Sequence, residues 1–352
     1  MEQVRVAIVG LNIGLPMGKG IAQNPRAVIT TLCDLNEDRM RLVADELPGP
    51  INFVTDYQEV CRDLEVDAVI VATPNQWHVP VALEAVRNDK HVLITKPLAD
   101  ALGPAQEIVA AAEAAGVVNM MSLSTRFAPE TQYLGQLREQ GVFGDVYYAR
   151  ARSVRRSGIP SWSTGFILKG GGAFRDMGVH VLDAAWWMMG MPRPVSASGV
   201  AGAKFGPRGL GYWGYAPQTP EFAAQYAADD YAGGIIRFEN GAGLQVESFW
   251  ASHQPEELQI DLFGTEAGAR FKPLTLFRTV NNVPMDSTIE LPKGPDVWAR
   301  IGNHFIECIL DKVPCAAPLR HGMIVQEMME ALLASAESGH EVVLDPERKV
   351  LA

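Results

Sequence analysis

Five short apolar runs, separated by segments with helical periodicity, dominate the first 125 residues. The runs are VRVAIVG (4–10), VITTLCD (28–34), DAVIVAT (67–73), HVLIT (91–95) and GVVNMMS (116–122). They are apolar throughout rather than alternating, which is typical of strands covered on both faces. Strands that alternate with helices predict a doubly wound parallel sheet, an α/β architecture, in a first domain that we place at residues 1–124.

The pattern changes near residue 125, where a helix near 129–141 leads into longer strands with alternating polarity. These strands are predicted at 145–153, 195–203, 229–239, 243–252 and 257–265. Alternation predicts a largely antiparallel sheet with two different faces, in an α+β domain at 125–352. Two closing helices, near 296–312 and 321–338, can pack back on the first domain.

Composition excludes some classes of function. The 352 residues carry a formal net charge of −11, which argues against a nucleic-acid groove. We find no apolar run of membrane-spanning length and no secretory leader, so we expect a soluble cytoplasmic protein. The four cysteines, Cys33, Cys61, Cys308 and Cys315, show no metal-binding spacing, so we expect free thiols and no metal site.

The segment GLNIGLPMGKG (10–20) follows the first strand and opens a helix. Glycines at such a turn let backbone N–H groups approach a pyrophosphate. The GxGxxG pattern is imperfect, so a tight strand-to-helix turn is the alternative to a cofactor loop. The residues we assign to cofactor binding here are Gly10, Asn12, Ile13 and Gly14.

Asp34 ends the second strand. A carboxylate there can accept hydrogen bonds from the adenosine ribose and would repel a 2′-phosphate, which favours NAD over NADP. The alternative is that Asp34 caps the helix that follows.

Two further strands end in polar residues and prolines. The third run ends in Thr73 and is followed by Pro74 and Asn75, and the fourth run is followed by Lys96 and Pro97. Ligands of open α/β sheets bind at this carboxyl edge, so we add these five residues to the cofactor site. An X–Pro bond can be cis, which would fix the direction of Lys96.

Three ionisable residues interrupt an apolar segment, GGGAFRDMGVHVLDAAWWMMG (170–190). Asp176, His180 and Asp183 are spaced to share one stripe of an α-helix. Buried charges are costly unless they are paired or face a cleft. The stripe is therefore either a paired structural network or the wall of a site.

Together these motifs resemble the glucose–fructose oxidoreductase/inositol dehydrogenase (Gfo/Idh/MocA) family. The resemblance rests on TPNQWH (73–78), a strand ending in KPLA (96–99), DMGVHVLD (176–183) and the closing segment 318–344. It implies a Rossmann domain with NAD or NADP, a second domain with a large open sheet, and homodimers or homotetramers formed through that sheet.

The resemblance also implies catalytic roles. Lys96 matches the family's lysine, Asp176 its paired aspartate and His180 its acid–base histidine, and the same three residues would contact substrate. Two positions depart from the family pattern: Thr95 replaces a common glutamate and Asn12 replaces a glycine.

Further residues have two interpretations each. Arg126 would touch substrate or pair with an acid. Trp162, Tyr212 and Trp213 would bind the apolar face of a sugar, although a long loop could use such rings for its own packing or for a subunit contact. His78 matches a family position near the cofactor, or it has a local structural role.

We therefore expect an NAD-dependent dehydrogenase acting on a secondary hydroxyl of a sugar, a cyclitol or a related polyol, with no nucleic-acid or membrane partner. One alternative is a glycosidase that oxidises its substrate transiently with tightly held NAD. Another is a non-catalytic NAD-binding regulator.

Overall fold

The computed structural model describes residues 3–344, and strands and helices alternate through its first third as the apolar runs predict. The elements in chain order are β1 (Val4–Val9), α1 (Gly14–Ala22), β2 (Ala27–Cys33), α2 (Glu37–Ala44), β3 (Asn52–Val54), α3 (Tyr57–Arg62), β4 (Ala68–Val71), α4 (Asn75–Arg87), β5 (His91–Ile94), α5 (Leu102–Ala115) and β6 (Asn119–Met121).

The six strands form a parallel sheet in the order β3-β2-β1-β4-β5-β6, the doubly wound order of dinucleotide-binding domains. Every residue of β4 is buried, as expected for a strand covered on both faces. Strand β3 was not predicted, because this three-residue edge strand is largely exposed and has no apolar run.

The remaining elements carry the second sheet and the closing helices. They are α6 (Pro129–Glu139), β7 (Val146–Val154), α7 (Val179–Met188), β8 (Pro194–Gly202), α8 (Pro220–Ala223), β9 (Tyr231–Phe238), β10 (Gly243–Phe249), β11 (Glu257–Gly264), β12 (Gly268–Arg270), β13 (Thr275–Val280), β14 (Val283–Thr288), α9 (Val297–Leu310), α10 (Leu319–Ser338) and β15 (Val342–Val343).

Nine strands form the second sheet, in the order β14-β13-β12-β11-β7-β10-β9-β8-β15. The β7–β10 pair is parallel and the other pairs are antiparallel, which confirms a mostly antiparallel sheet. Burial alternates along β10, and α7 packs against β7, β10 and β11. The sheet therefore has one core face and one outer face.

The chain divides into two units, one of residues 3–127 with 294–326 and one of residues 128–293 with 327–344. In the first unit α9 packs against α1. Gly20 of α1 permits this approach, because a Cβ there would lie 2.3 Å from the Trp298 carbonyl oxygen. Within residues 3–344, no helix combines the length and the apolarity needed to cross a membrane.

Candidate active site

The loop after β1 has the shape of a phosphate cradle. Gly10 has φ +88, and a Cβ there would lie 2.5 Å from the Ala72 carbonyl oxygen, so only glycine fits. Asn12 and Ile13 are exposed on the loop, and Gly14 begins α1. Ile13, at the N-cap, makes no side-chain cap bond, which leaves the first backbone N–H groups of α1 for an anion.

Asp34 lies beside this loop. Its Oδ2 accepts a hydrogen bond from Leu11 N at 3.2 Å, and its Oδ1 accepts one from Asn36 N at 3.0 Å. The N-cap of α2 is Asn36, whose side chain accepts from Arg39 N, so the alternative that Asp34 is the helix cap is wrong. Arg39, which the sequence did not single out, also donates to the Leu11 carbonyl at 3.3 Å.

His78 joins two of the predicted strand ends. Its ring is fully buried, with Nδ1 2.7 Å from the Pro97 carbonyl and Nε2 2.7 Å from the Thr73 carbonyl. Burial lowers the pKa of His78, while the two carbonyl contacts act in the opposite direction. These contacts support the structural alternative, in which His78 positions the two turns.

The Lys96–Pro97 bond at this edge is cis. One further feature of the edge fits a bound dinucleotide. The Thr73 Oγ1 atom is buried and has no hydrogen-bond partner within residues 3–344, which is unusual for a hydroxyl. Pro74 and Asn75 begin α4 directly beyond it. A loop that requires glycine at position 10, a helix start without a side-chain cap and a buried hydroxyl without a partner among residues 3–344 fit a cofactor site.

In the second unit, the segment that carries Asp176 differs from the prediction. Residues Phe174–Gly178 form a π-helical turn, and the regular helix α7 begins only at Val179. The expectation of one uniform α-helix through residue 176 is therefore wrong. Such turns often occur at functional sites. Asp176 and His180 are half-buried, whereas Asp183 is only 1% exposed.

Trp250 positions the Asp176 carboxylate. Its indole Nε1 donates to Asp176 Oδ2 at 2.9 Å, and its ring is fully buried. A charged acceptor strengthens this hydrogen bond. The sequence analysis did not select Trp250, which lies just beyond β10.

Asp229 holds the start of the same segment. Its Oδ2 accepts from Phe174 N at 2.9 Å, and Gly172 leaves room for the carboxylate, since a Cβ there would lie 2.0 Å from Asp229 Oδ1. Burial raises the pKa of Asp229 from 3.8 to about 6. The sequence offered only a weak signal for it, the acidic pair at 229–230 before a strand.

An exposed aromatic patch lies in the same unit as Asp176. Trp162 and Trp213 are 63% and 52% exposed, and their rings meet edge to face at 6.1 Å. Trp162 also meets Phe166 at 5.8 Å, and Phe166 meets Trp250 at 6.5 Å. A continuous row of rings therefore leads from the surface to the tryptophan that binds Asp176.

Two other predicted substrate residues lie in the interior. Tyr212 is fully buried, and its hydroxyl donates to the Gly206 carbonyl at 3.2 Å. Arg126 is also fully buried, with Nη1 2.7 Å from the Ala316 carbonyl and 2.8 Å from His321 Nδ1. These surroundings favour loop packing for Tyr212 and a structural contact for Arg126.

Both halves of the chain match models of one protein family. Residues 4–123 match an oxidoreductase family with an NAD-binding Rossmann fold, and residues 131–270 match the Gfo/Idh/MocA C-terminal domain. The chain belongs to the Gfo/Idh/MocA family. It is therefore an oxidoreductase, and residues 4–123 form its NAD-binding Rossmann domain.

Characterised members of the family align with nearly the whole chain. D-glucoside 3-dehydrogenase of Escherichia coli is 30% identical over 323 residues, which are 90% of each chain. scyllo-Inositol 2-dehydrogenase (NAD(+)) of Bacillus subtilis is 27% identical over 99% of this chain and 98% of its own length. A levoglucosan dehydrogenase solved with NADH and levoglucosan has a TM-score of 0.84 and 20% identity, covering 98% of this chain and 100% of its own, which shows a common fold.

Proposed function

We propose that the chain is an NAD-dependent dehydrogenase that oxidises a secondary hydroxyl of a sugar, a cyclitol or a related polyol. The observation that carries the substrate class is the row of rings from Trp162 and Trp213 to Trp250 and the Asp176 carboxylate. Tryptophan faces suit the apolar faces of sugar rings, and a carboxylate suits their hydroxyls. The relatives named as glucoside and inositol dehydrogenases support the same class.

His180 is the proposed general base of oxidation and the acid of reduction. Removing a hydroxyl proton near neutral pH suits an imidazole. His180 lies in the first turn of α7, and the packing of that helix on β7, β10 and β11 fixes its backbone. When bound, NAD supplies the hydride acceptor.

Lys96 and Asp176 complete the proposed chemistry. Lys96 donates to the reacting oxygen and stabilises the developing alkoxide charge. Asp176 accepts from a substrate hydroxyl or from the imidazole and stabilises His180 when it is charged. Trp250 is a positioning residue, because it acts through the Asp176 carboxylate.

The preference for NAD follows from Asp34. Both of its oxygens already accept backbone hydrogen bonds, which hold the carboxylate beside the loop after β1. A fixed negative charge there accepts from ribose hydroxyls and repels the 2′-phosphate of NADP.

We also propose that the outer face of the nine-stranded sheet joins two copies of the chain. Val200 is 64% exposed on that face, and Tyr231 and Phe249 stack there at 5.7 Å beside Tyr148. Light scattering that shows only monomer at working concentration would contradict this arrangement.

The test of function is a spectrophotometric screen for NADH formation with inositols, aldoses, anhydrosugars and glycosides. We expect one group to give NADH and His180→Ala to lower turnover by about 10² to 10⁴. His340→Ala, which removes an exposed histidine beyond α10, is the matched control and keeps wild-type turnover.

Turnover of His180→Ala within a few-fold of wild type would remove the histidine from its role. Release of an aglycone from a glycoside without net NADH would instead identify the NAD-dependent glycosidase.

A further inference from the structure

Three potential metal ligands converge in the first unit. His304 and Cys308 are four residues apart on α9 and therefore share one helix face, and Cys315 lies in the segment between α9 and α10. One ligand atom from each residue lies within 4.8 Å of the other two. The sequence spacing did not predict this cluster, because the fold, not a short motif, brings Cys315 back to the helix.

Backbone contacts hold the cluster in place. Ala316 N donates to His304 Nε2 at 2.8 Å, and Cys315 Sγ lies 3.6 Å from the carbonyl of Asn119 on β6. The side chain of Asn119 in turn accepts from Leu319 N at 3.1 Å. The bond between Asn119 and Leu319 N involves no ligand atom, so it persists when a metal binds, and it ties the loop that carries Cys315 to the edge strand β6.

The donors also have the chemistry of a soft-metal site. Cys308 Sγ lies 3.5 Å from His304 Nε2, so a sulfur and a nitrogen donor already face each other. Two thiolates and one neutral imidazole carry two negative charges, which neutralise a dication. This matters because Cys308 is only 3% exposed and a net charge there would be costly.

We propose that His304, Cys308 and Cys315 bind a thiophilic divalent cation of the Zn²⁺ class. Both thiols lose their protons to solvent on binding, and the metal gains two sulfur ligands and one nitrogen ligand. Water takes the fourth tetrahedral position, which the partial exposure of His304 and Cys315 permits. Binding through Nε2 displaces the Ala316 N–H, a neutral hydrogen bond that is weak beside two metal–thiolate bonds.

The site would fasten α9 and the following loop to the edge of the parallel sheet. None of its three ligands belongs to the proposed catalytic or cofactor residues, so its role is separate from hydride transfer. A cation that binds only the folded state raises thermal stability as its free concentration rises.

The experiment uses the full chain, reduced and freed of metal with a chelator. Titration with ZnCl₂ should give one equivalent per chain, and CoCl₂ should give the charge-transfer absorption of a cobalt–thiolate complex. Cys315→Ser and His304→Ala should each weaken Zn²⁺ binding by at least about 100-fold. Cys61→Ser is the matched control, because Cys61 is a buried free thiol of the same unit and lies at a separate place, beside the Val81 carbonyl.

A second measurement needs no variant and therefore does not depend on variant folding. Mass mapping of alkylated peptides should show that Zn²⁺ slows modification of Cys308 and Cys315, and that a chelator restores it. Equal alkylation rates with and without Zn²⁺ would overturn the proposal. Wild-type Zn²⁺ affinity in Cys315→Ser would also overturn it. A third contrary result is fresh protein that contains a Cys308–Cys315 disulfide and shows no cobalt–thiolate absorption after reduction.

Discussion

Asp229→Asn should remove a pH-dependent part of the stability of the second unit. In the wild type the half-buried carboxylate accepts from Phe174 N at 2.9 Å and lies beside Gly172. Burial disfavours the charged form and raises the pKa of Asp229 from 3.8 to about 6. The asparagine keeps the shape and one oxygen acceptor but cannot titrate.

The magnitude follows from that shift. A change from 3.8 to about 6, at about 1.4 kcal/mol per pH unit, corresponds to about 3 kcal/mol of unfolding free energy. Because the folded protein binds this proton more tightly than the unfolded chain, the stabilisation is complete below about pH 4. It is lost as the pH rises through about 6. Relative to Asp229→Asn, the wild type should therefore become less stable between these limits.

Urea unfolding of the two proteins, followed by tryptophan fluorescence from pH 3.5 to pH 7.5, measures the difference. Subtracting the two curves cancels the titration of groups far from Asp229. Asp229→Ala is the control, since alanine also cannot titrate. It should show the same pH-dependent difference from the wild type as Asp229→Asn. It should also lose a constant amount of unfolding free energy of about 1–3 kcal/mol, because Phe174 N–H loses its acceptor. A difference that stays flat, or that favours the wild type as the pH rises, would refute the reasoning.

Two further predictions concern the ligand sites. Asp34→Ser should lower kcat/KM with NAD by about 10- to 100-fold, because a charged ribose acceptor worth about 1.5–3 kcal/mol is lost, and should raise kcat/KM with NADP, because the repulsion of the 2′-phosphate is lost. Steady-state kinetics with both cofactors checks this, and an unchanged ratio of the two kcat/KM values would contradict it. Trp162→Ala should raise KM for the sugar by about fivefold at nearly constant kcat, since about 1 kcal/mol of stacking is made equally in ground and transition states. Trp162→Phe keeps a ring and should restore most of the affinity, and equal KM values for the two variants would exclude stacking.

The sequence predicted the elements that hydrophobic pattern determines. Runs without alternation identified the buried strands β1, β2, β4, β5 and β6, and alternation identified β7 to β11. Strands β12 to β15 were missed: β14 is exposed along its whole length, and β12 and β15 have only three and two residues. A pattern of burial cannot mark strands that bury little.

The site residues that the sequence misassigned or missed have a different physical cause from the missed strands. Tyr212 and Trp213 are neighbours in one loop, yet one ring is fully buried and the other is half-exposed. Composition led to the same interpretation for both, because the burial of the Tyr212 ring depends on packing with residues distant in sequence, such as Ile167 and Trp250. Asp229 and Cys315 were missed for the same reason, since their partners are far away in sequence.

Three hydrogen bonds hold the apolar segment that carries Asp176 and His180. Ser248 Oγ donates to the Ala173 carbonyl at 2.8 Å, Asp229 accepts from Phe174 N, and Trp250 donates to Asp176. Each contact fixes the π-helical turn from the sheet side. Acid–base chemistry tolerates little displacement of the reacting groups. The proposed role of His180 therefore requires that the buried apolar face of α7 holds the helix in place. Substitutions of Ser248, Asp229 or Trp250 that are too mild to unfold the unit should therefore still reduce turnover.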